Sequence, residues 1–142
     1  MQIDIVTHAD DELHDAFQRL VPQLTHNNPP PTLDDLTALV HDAASTLMVA
    51  RAEDGVIVGA LTLAVYRVPT GIRSIIEDVI VDISARGQGI GEALMLRAIE
   101  LAREKGAANI ALTSNPLRGA ANSLYVKLGF QKRETNAYQM KL

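Results

Sequence analysis

Cysteine is absent from the 142 residues, which removes disulfides, thiolate nucleophiles and cysteine-ligated zinc or iron–sulfur centres. A basic surplus is also missing: 13 Lys+Arg stand against 17 Asp+Glu, a net charge of −4. That argues against a nucleic-acid binder working by phosphate neutralisation and against a polybasic membrane-surface domain. No apolar run is long enough for a membrane helix, since Val56 to Val65 is broken by Thr62. Met1-Gln2-Ile3-Asp4-Ile5 lacks the basic-then-apolar layout of a secretion signal, so a cytoplasmic protein is expected. There is no G-x-x-x-x-G-K-[ST] loop, no G-x-S-x-G elbow, no H-x-x-x-H spacing, no internal repeat and no low-complexity tail.

What remains is 47% hydrophobic, enough for one core, and its length suits a single domain over residues 1–142. Gln2–Val6 alternates as a strand, and Asp10–Leu20 has helical spacing with Thr7 or Asp10 as N-cap and Pro22 as its kink or end. Three prolines and two asparagines make Thr25–Pro31 a loop. Thr32 with Asp35 has capping-box spacing for a second helix to Ala44. Strands are predicted over Thr46–Ala52, Val56–Arg67 and Ser74–Asp82, the first two joined at Glu53-Asp54-Gly55. Ile90–Lys105 is a helix with an Ile90, Leu94, Ala98, Leu101 stripe and Gly106 as its stop. Asn109–Ser114 reads as a strand and Gly119–Leu128 as a helix stopped by Gly129. Phe130–Arg133 and Tyr138–Leu142 read as terminal strands. The expected fold class is α/β (α+β), with a mostly antiparallel sheet.

Three of the nine glycines fall within five residues, in Arg86-Gly87-Gln88-Gly89-Ile90-Gly91, between an apolar strand and the start of the long helix. A turn of that kind exposes backbone N–H groups and the positive helix end, which suits a pyrophosphate. A plain strand-to-helix turn would need only one glycine. The spacing is not the dinucleotide G-x-G-x-x-G.

Val81-Asp82-Ile83-Ser84-Ala85-Arg86-Gly87-Gln88-Gly89-Ile90-Gly91 resembles the acyl-CoA signature of the GNAT superfamily of N-acetyltransferases, Gln/Arg-x-x-Gly-x-Gly/Ala. Asn122-Ser123-Leu124-Tyr125-Val126-Lys127-Leu128-Gly129-Phe130 is similar to that superfamily's C-terminal motif, with a shortened Asn-to-Tyr gap. The resemblance implies a GNAT-like domain, its sheet splayed between central strands and flanked by helices, that transfers acetyl from acetyl-CoA to an amine without a metal. It implies pantetheine between Ser74–Asp82 and Asn109–Ser114, paired with backbone around Val79, Ile80 and Val81. Arg86 belongs to the signature, and the pyrophosphate would sit on N–H groups of Gly87, Gln88, Gly89, Ile90, Gly91 and Glu92. Asn122 and Asn115 are the candidates for contact with the pantetheine arm.

Attack on a thioester needs a neutral amine, hence a base. Glu77 is the candidate, by resemblance to relatives with a Glu-Asp-hydrophobic strand; the competing reading is an ion-paired strand carboxylate. Because strand neighbours point to opposite faces, only one of Glu77 and Asp78 is expected to face a given site. Tyr125 is the candidate acid for the departing thiolate, against a reading in which it only packs with Leu128 and Phe130. Of the four histidines, His8, His14 and His41 read as surface residues, while His26 lies in the Pro-rich loop, where relatives place the acceptor.

The resemblance implies a small-molecule amine, a protein N-terminus or a lysine as acceptor. It would be recognised by Thr25–Pro31, the second helix, Tyr66–Arg67 and Glu134–Asn136. No nucleic-acid or membrane partner is expected, and a homodimer is a possibility. The alternative from another class is a non-catalytic acyl-CoA-binding sensor or interaction module.

Overall fold

The computed structural model describes all residues, Met1–Leu142. Its local structure follows the chain's capping chemistry. Asp10 caps α1 (Asp11–Leu24), its carboxylate accepting from the Leu13 N–H at 2.9 Å. Thr32 caps α2 (Leu33–His41) in a complete capping box, with Thr32 Oγ1 accepting from the Asp35 N–H and Asp35 accepting from the Thr32 N–H. That box draws the Asp35 carboxyl below its usual pKa. Two helix ends differ from expectation by more than one residue, and the strand predicted to begin at Ser74 begins at Gly71. α1 runs through Pro22 to Leu24, because a proline two residues from the end disturbs only the last turn. α2 stops at His41, where Asp42 leaves the helical conformation and its N–H bonds the Leu39 carbonyl.

The chain divides into two compact units, Met1–Leu112 and Thr113–Leu142. The first holds a five-stranded sheet in sequence order: β1 (Gln2–Ile5), β2 (Ser45–Arg51), β3 (Ile57–Val68), β4 (Gly71–Val81) and β5 (Ile110–Ala111). The first three pairings are antiparallel and β4–β5 is parallel. Glu53-Asp54-Gly55 makes the expected hairpin turn, Gly55 supplying φ +87°. On one face of the sheet Leu47, Val49, Ala60 and Ile80 form a core with Leu13, Ala16, Phe17 and Leu20 of α1 and Leu36 of α2. On the other face lies α3 (Ile90–Glu104), whose Ile90, Leu94, Met95 and Ala98 are buried. Gly106 follows α3 with φ +79°, as a helix stop requires.

The second unit holds α4 (Gly119–Lys127), followed by Gly129 at φ +101°. Three strand expectations are corrected. Asn109–Ser114 contributes only Ile110–Ala111, so β5 is short and forms the edge of the sheet. Neither Phe130–Arg133 nor Tyr138–Leu142 is a strand. The alternation Tyr138, Met140, Leu142 is real, but all three side chains are exposed. Periodicity describes a face, and a strand also needs a neighbour to take its backbone hydrogen bonds.

Gly59 sets how closely α3 can approach. A Cβ there would meet Ile90 Cγ2 at 3.0 Å, Leu94 Cδ1 at 3.2 Å and the Ile80 carbonyl oxygen at 3.2 Å. Gly59→Ala is expected to lose about 1–3 kcal/mol in urea denaturation. Gly119→Ala, where a Cβ meets nothing within 4 Å, should be neutral or stabilising by up to about 1 kcal/mol. Equal behaviour of the two would contradict this packing.

Candidate active site

The site begins with an irregularity in β4. Ala60 pairs with Ile80 and Thr62 with Glu77, so Leu61 alone faces both Asp78 and Val79. The extra residue is a β-bulge, and Asp78 absorbs it with φ +51°, the one positive φ outside glycine. Aspartate tolerates the left-handed region better than most residues, yet the conformation still costs on the order of 1 kcal/mol. The bulge resets the alternation of β4. Glu77 and Ile80, three apart, share the α1/α2 face of the sheet. The register sets Glu77 opposite Thr62 and Asp78, with Val79, opposite Leu61, and both carboxylates are exposed. The Glu77 carboxyl is held above its usual pKa, first by partial burial and then by the charge of Asp78.

Past the bulge, the outer edge of β4 is open. Parallel pairing with β5 covers only Ser74 and Ile75. The Asp82 N–H donates to the Val58 carbonyl at 2.8 Å, which fixes the phase of the β3–β4 ladder. In that phase Ile80 turns its backbone toward Ala60, while the Val79 carbonyl and both backbone groups of Val81 point away from β3. Of the three predicted backbone contacts, Val79 and Val81 thus lie on the open edge, whereas Ile80 is buried in the core and paired inward.

Asp82 is the pivot between this edge and the glycine loop. It is buried, accepts from the Ser84 N–H at 3.1 Å and Ser84 Oγ at 2.9 Å, and forms an ion pair with Arg19 of α1. The Ser84 backbone bond, followed by the Ser84 hydroxyl and Arg19, draws its carboxyl below the usual range. Arg19 also donates to the Ile57 carbonyl at 2.9 Å, and Gln23 accepts from the Ile83 N–H at 2.8 Å. One face of α1 therefore clamps the turn Ile83–Ala85. Arg86 follows, its Nε donating to the Val81 carbonyl at 3.1 Å. Gly87 and Gly89 have φ +78° and +79°, and a Cβ at either would project into open space. Gly89 is the N-cap of α3 and has no side chain to satisfy the first N–H groups of that helix. Gln88 and Ile90 border a recess of about 410 Å³ with Met1, Ala52, Glu53 and Asp54. The Ile90 side chain itself is buried; Gly91 and Glu92 are half-buried in the first turn. The loop and the open edge of β4 together suit a ligand with a diphosphate and amide groups. A larger recess, about 470 Å³, runs along β1, and no predicted site residue lines it.

In the second unit, Tyr125 is buried and meets Phe130 edge-on, with ring centroids 6.1 Å apart. Burial raises the pKa of its phenol, with Arg118 opposing, so the phenol is protonated at neutral pH. The predicted partners Asn115 and Asn122 hold their own loop. Asn115 Oδ1 accepts from the Leu117 N–H at 2.9 Å, and Asn122 Nδ2 donates to the carbonyls of Asn115 and Arg118, both at 3.0 Å. In the first unit His26 is exposed in the α1–α2 loop. No group of three or more His, Asp or Glu side chains is placed to hold a metal ion.

Sequence reasoning passed over Arg19, Gln23 and Gly59. A carboxylate ending an apolar strand signals a buried cation partner, but nothing local points across 63 residues from Asp82 to Arg19.

The two perturbed carboxylates have opposite consequences for stability. Asp82 has a lowered folded pKa, so its contribution is present above the ordinary Asp range and disappears as pH falls through the lowered value. Asp82→Asn should cost about 1–3 kcal/mol at neutral pH and progressively less in acid. Glu77 has a raised folded pKa, so ionisation costs stability as pH rises through the raised value. Glu77→Gln should raise Tm at neutral pH, and the gain should vanish once pH falls below the ordinary Glu range. Thermal melts against pH check both; parallel curves for the two variants would contradict the assignment.

Known proteins share this sequence pattern and this fold. A sequence profile described as "Acetyltransferase (GNAT) family" matches residues 12–130. A glucosamine 6-phosphate N-acetyltransferase of Trypanosoma brucei brucei is 39% identical over 83 residues, 56% of this chain and 54% of that protein. A mycothiol acetyltransferase of Renibacterium salmoninarum is 33% identical over 71% of this chain and 31% of its own length. The chain thus spans about half of the first of these relatives and a third of the second. Among solved structures, a Trypanosoma brucei acetyltransferase superposes with a TM-score of 0.78 at 28% identity, covering 99% of this chain and 97% of that one. A putative acetyltransferase from Agrobacterium tumefaciens shares the fold at a TM-score of 0.84 and 21% identity, over all of both chains. With the profile covering most of its length, the chain belongs to the GNAT family of acetyltransferases, whose members use acetyl-CoA as donor.

Proposed function

We propose that the chain is an N-acetyltransferase, moving the acetyl group of acetyl-CoA to a primary amine by direct attack within a ternary complex. The observation that carries this reading is the open edge of β4 after the Asp78 bulge, leading through Asp82 into the Gly87–Gly89 turn. Bound acetyl-CoA supplies an activated acetyl thioester. The Val79 carbonyl and Val81 N–H would pair with its pantetheine amides, and a β4-edge N–H near Val81 would polarise the thioester carbonyl. The pyrophosphate would rest on N–H groups from Gly87 to Glu92. The family profile runs across both compact units, which supports reading residues 1–142 as one domain.

Glu77 takes a proton from the incoming ammonium, directly or through water. Its raised pKa brings it closer to neutrality than an ordinary glutamate and so makes it a better base. Tyr125, held protonated by burial, gives a proton to the departing thiolate. The chain has no cysteine to form an acyl-enzyme, which supports direct transfer. The names of the curated relatives make glucosamine 6-phosphate the first acceptor to test among amino sugars, polyamines and peptide amines. Thiol release from acetyl-CoA with that panel tests the reading. Binding without turnover across the whole panel would leave a non-catalytic acyl-CoA module.

Two variant pairs probe the parts. Gly89→Ala and Gly55→Ala place a Cβ at similar positive φ, +79° and +87°, so each should lose about 1 kcal/mol of stability. Calorimetry should show CoA affinity reduced about tenfold or more for Gly89→Ala alone, the equivalent of about 1.4 kcal/mol. Equal affinities would contradict the cradle. Glu77→Gln should depress kcat/KM most at low pH, with the deficit shrinking as free amine accumulates. Tyr125→Phe should lower kcat by about 10²–10⁴-fold at unchanged CoA affinity. Wild-type kcat in Tyr125→Phe would return Tyr125 to a packing role.

A further inference from the structure

The register of β3 and β4 lays out a stretch of sheet that neither α1 nor α2 covers. Before the bulge, three cross-strand pairs follow one another on the α1/α2 side: Thr62 with Glu77, Ala64 with Ile75, and Tyr66 with Arg73. They continue the alternation of β3 from Ala60, which is buried in the core with α1. None of these paired side chains is buried, and Tyr66 is 40% exposed. On the other side of the same ribbon Leu61, Leu63, Ser74 and Ile76 are at most 2% exposed, and a Cβ at Gly59 would meet α3 there. The ribbon is closed on one side and open on the other.

The open side is chemically graded. Glu77 stands at the end nearest the bulge, and Ala64 with Ile75 forms an apolar middle. Tyr66 and Arg73 stand at the far end, four residues along β4 from Glu77, or about 13 Å at the rise of a strand. Arg19, Arg51 and Arg97 each meet a carboxylate. Arg73 donates through Nη2 to the neutral Thr70 hydroxyl at 2.8 Å and takes part in no ion pair. An exposed guanidinium with N–H groups to spare is a fork for a carboxylate or a phosphate, and the Tyr66 hydroxyl opposite it can add a donor. Sequence reasoning points to Arg67 beside Tyr66, but the register turns Arg67, opposite Ile72, to the α3 side and sets Arg73 in its place.

Resting on the N-acetyltransferase reading above, we infer that the acceptor is a primary amine that also carries an anionic group, its amine at Glu77 and its carboxylate or phosphate at Arg73 and Tyr66. Arg73 is then a specificity-determining residue, holding the far end of the acceptor and touching no reacting atom. A polyamine would set a second ammonium against the same guanidinium. The net charge of −4 therefore does not select a cationic acceptor.

Matched amines test this, each pair differing in the anion: glucosamine 6-phosphate with glucosamine, 6-aminohexanoate with hexylamine, and a peptide carrying a free C-terminal carboxylate with its C-terminal amide. In at least one pair the wild type should prefer the anionic member by about tenfold or more in kcat/KM, the size of a charge-assisted hydrogen bond. The phosphate and carboxylate pairs separate the two anions. Arg73→Gln should abolish the preference by raising KM for the anionic member at unchanged kcat, and leave the neutral member within about twofold. Arg73→Lys, which keeps the charge and loses the fork, should retain part of it. Arg103→Gln removes the same charge from an exposed position on α3 and should retain all of it. A wild type that prefers the anionic member in none of the pairs would overturn the inference and leave acetyl transfer intact. So would a preference that survives in Arg73→Gln. Turnover of no amine at all would instead overturn the transferase reading on which the inference rests.

Discussion

Between the pairs Ala60–Ile80 and Thr62–Glu77, β4 has to fit two residues opposite the single Leu61, and everything downstream depends on how that surplus is absorbed. Asp78 takes it up with a positive φ. The parallel neighbour of β4, β5, has already ended at Ala111, opposite Ile75. The N–H and C=O groups so released would be a liability on a buried strand. Here they form an open edge that a ligand rich in amides can complete as another strand would. Glu77, paired with Thr62 just before the bulge, lies on the face shared with α1 and α2, and partial burial followed by the charge of its neighbour Asp78 raises its pKa.

The open edge would be of little use if the loop after it were free to move. Asp82 prevents that by tying the turn at Ser84 to Arg19, while Gln23 fastens Ile83 one helical turn further along α1. Gly59 brings α3 up against β3 and β4, so the first turn of α3 is fixed relative to the same edge. Three non-local contacts therefore hold one short glycine turn, and the flexibility that glycine brings to the unfolded chain is offset by side chains from other elements.

Much of this was legible in the residues. The helix caps at Asp10 and Thr32, the hairpin at Gly55, the stripe of α3 and the glycine cluster are local signals, readable because capping, turn chemistry and amphipathic period act within a few residues. The bulge was not legible. Glu77-Asp78 reads as two ordinary strand residues, and a register slip depends on which partner a strand meets. The Arg19–Asp82 pair was hidden for the same reason, being a contact between distant segments. The C-terminal strands erred in the other direction, since Tyr138, Met140 and Leu142 carry a strand's alternation without a strand's hydrogen bonds. Asn122 sits at a motif position and Asn115 follows the predicted strand Asn109–Ser114, yet their amides are engaged in shaping the loop before α4.

On the proposed function, the outer edge of β4 after Asp78 is the surface on which the donor is built into the sheet. Amide hydrogen exchange at single residues addresses it directly. Without ligand the Val81 amide should exchange quickly while the Ile80 amide, turned toward β3, is protected. Saturating CoA should protect Val81 together with Gly87 and Gly89 and leave Ile80 unchanged. Protection of Val81 before CoA is added, or its continued fast exchange in the CoA complex, would contradict the account.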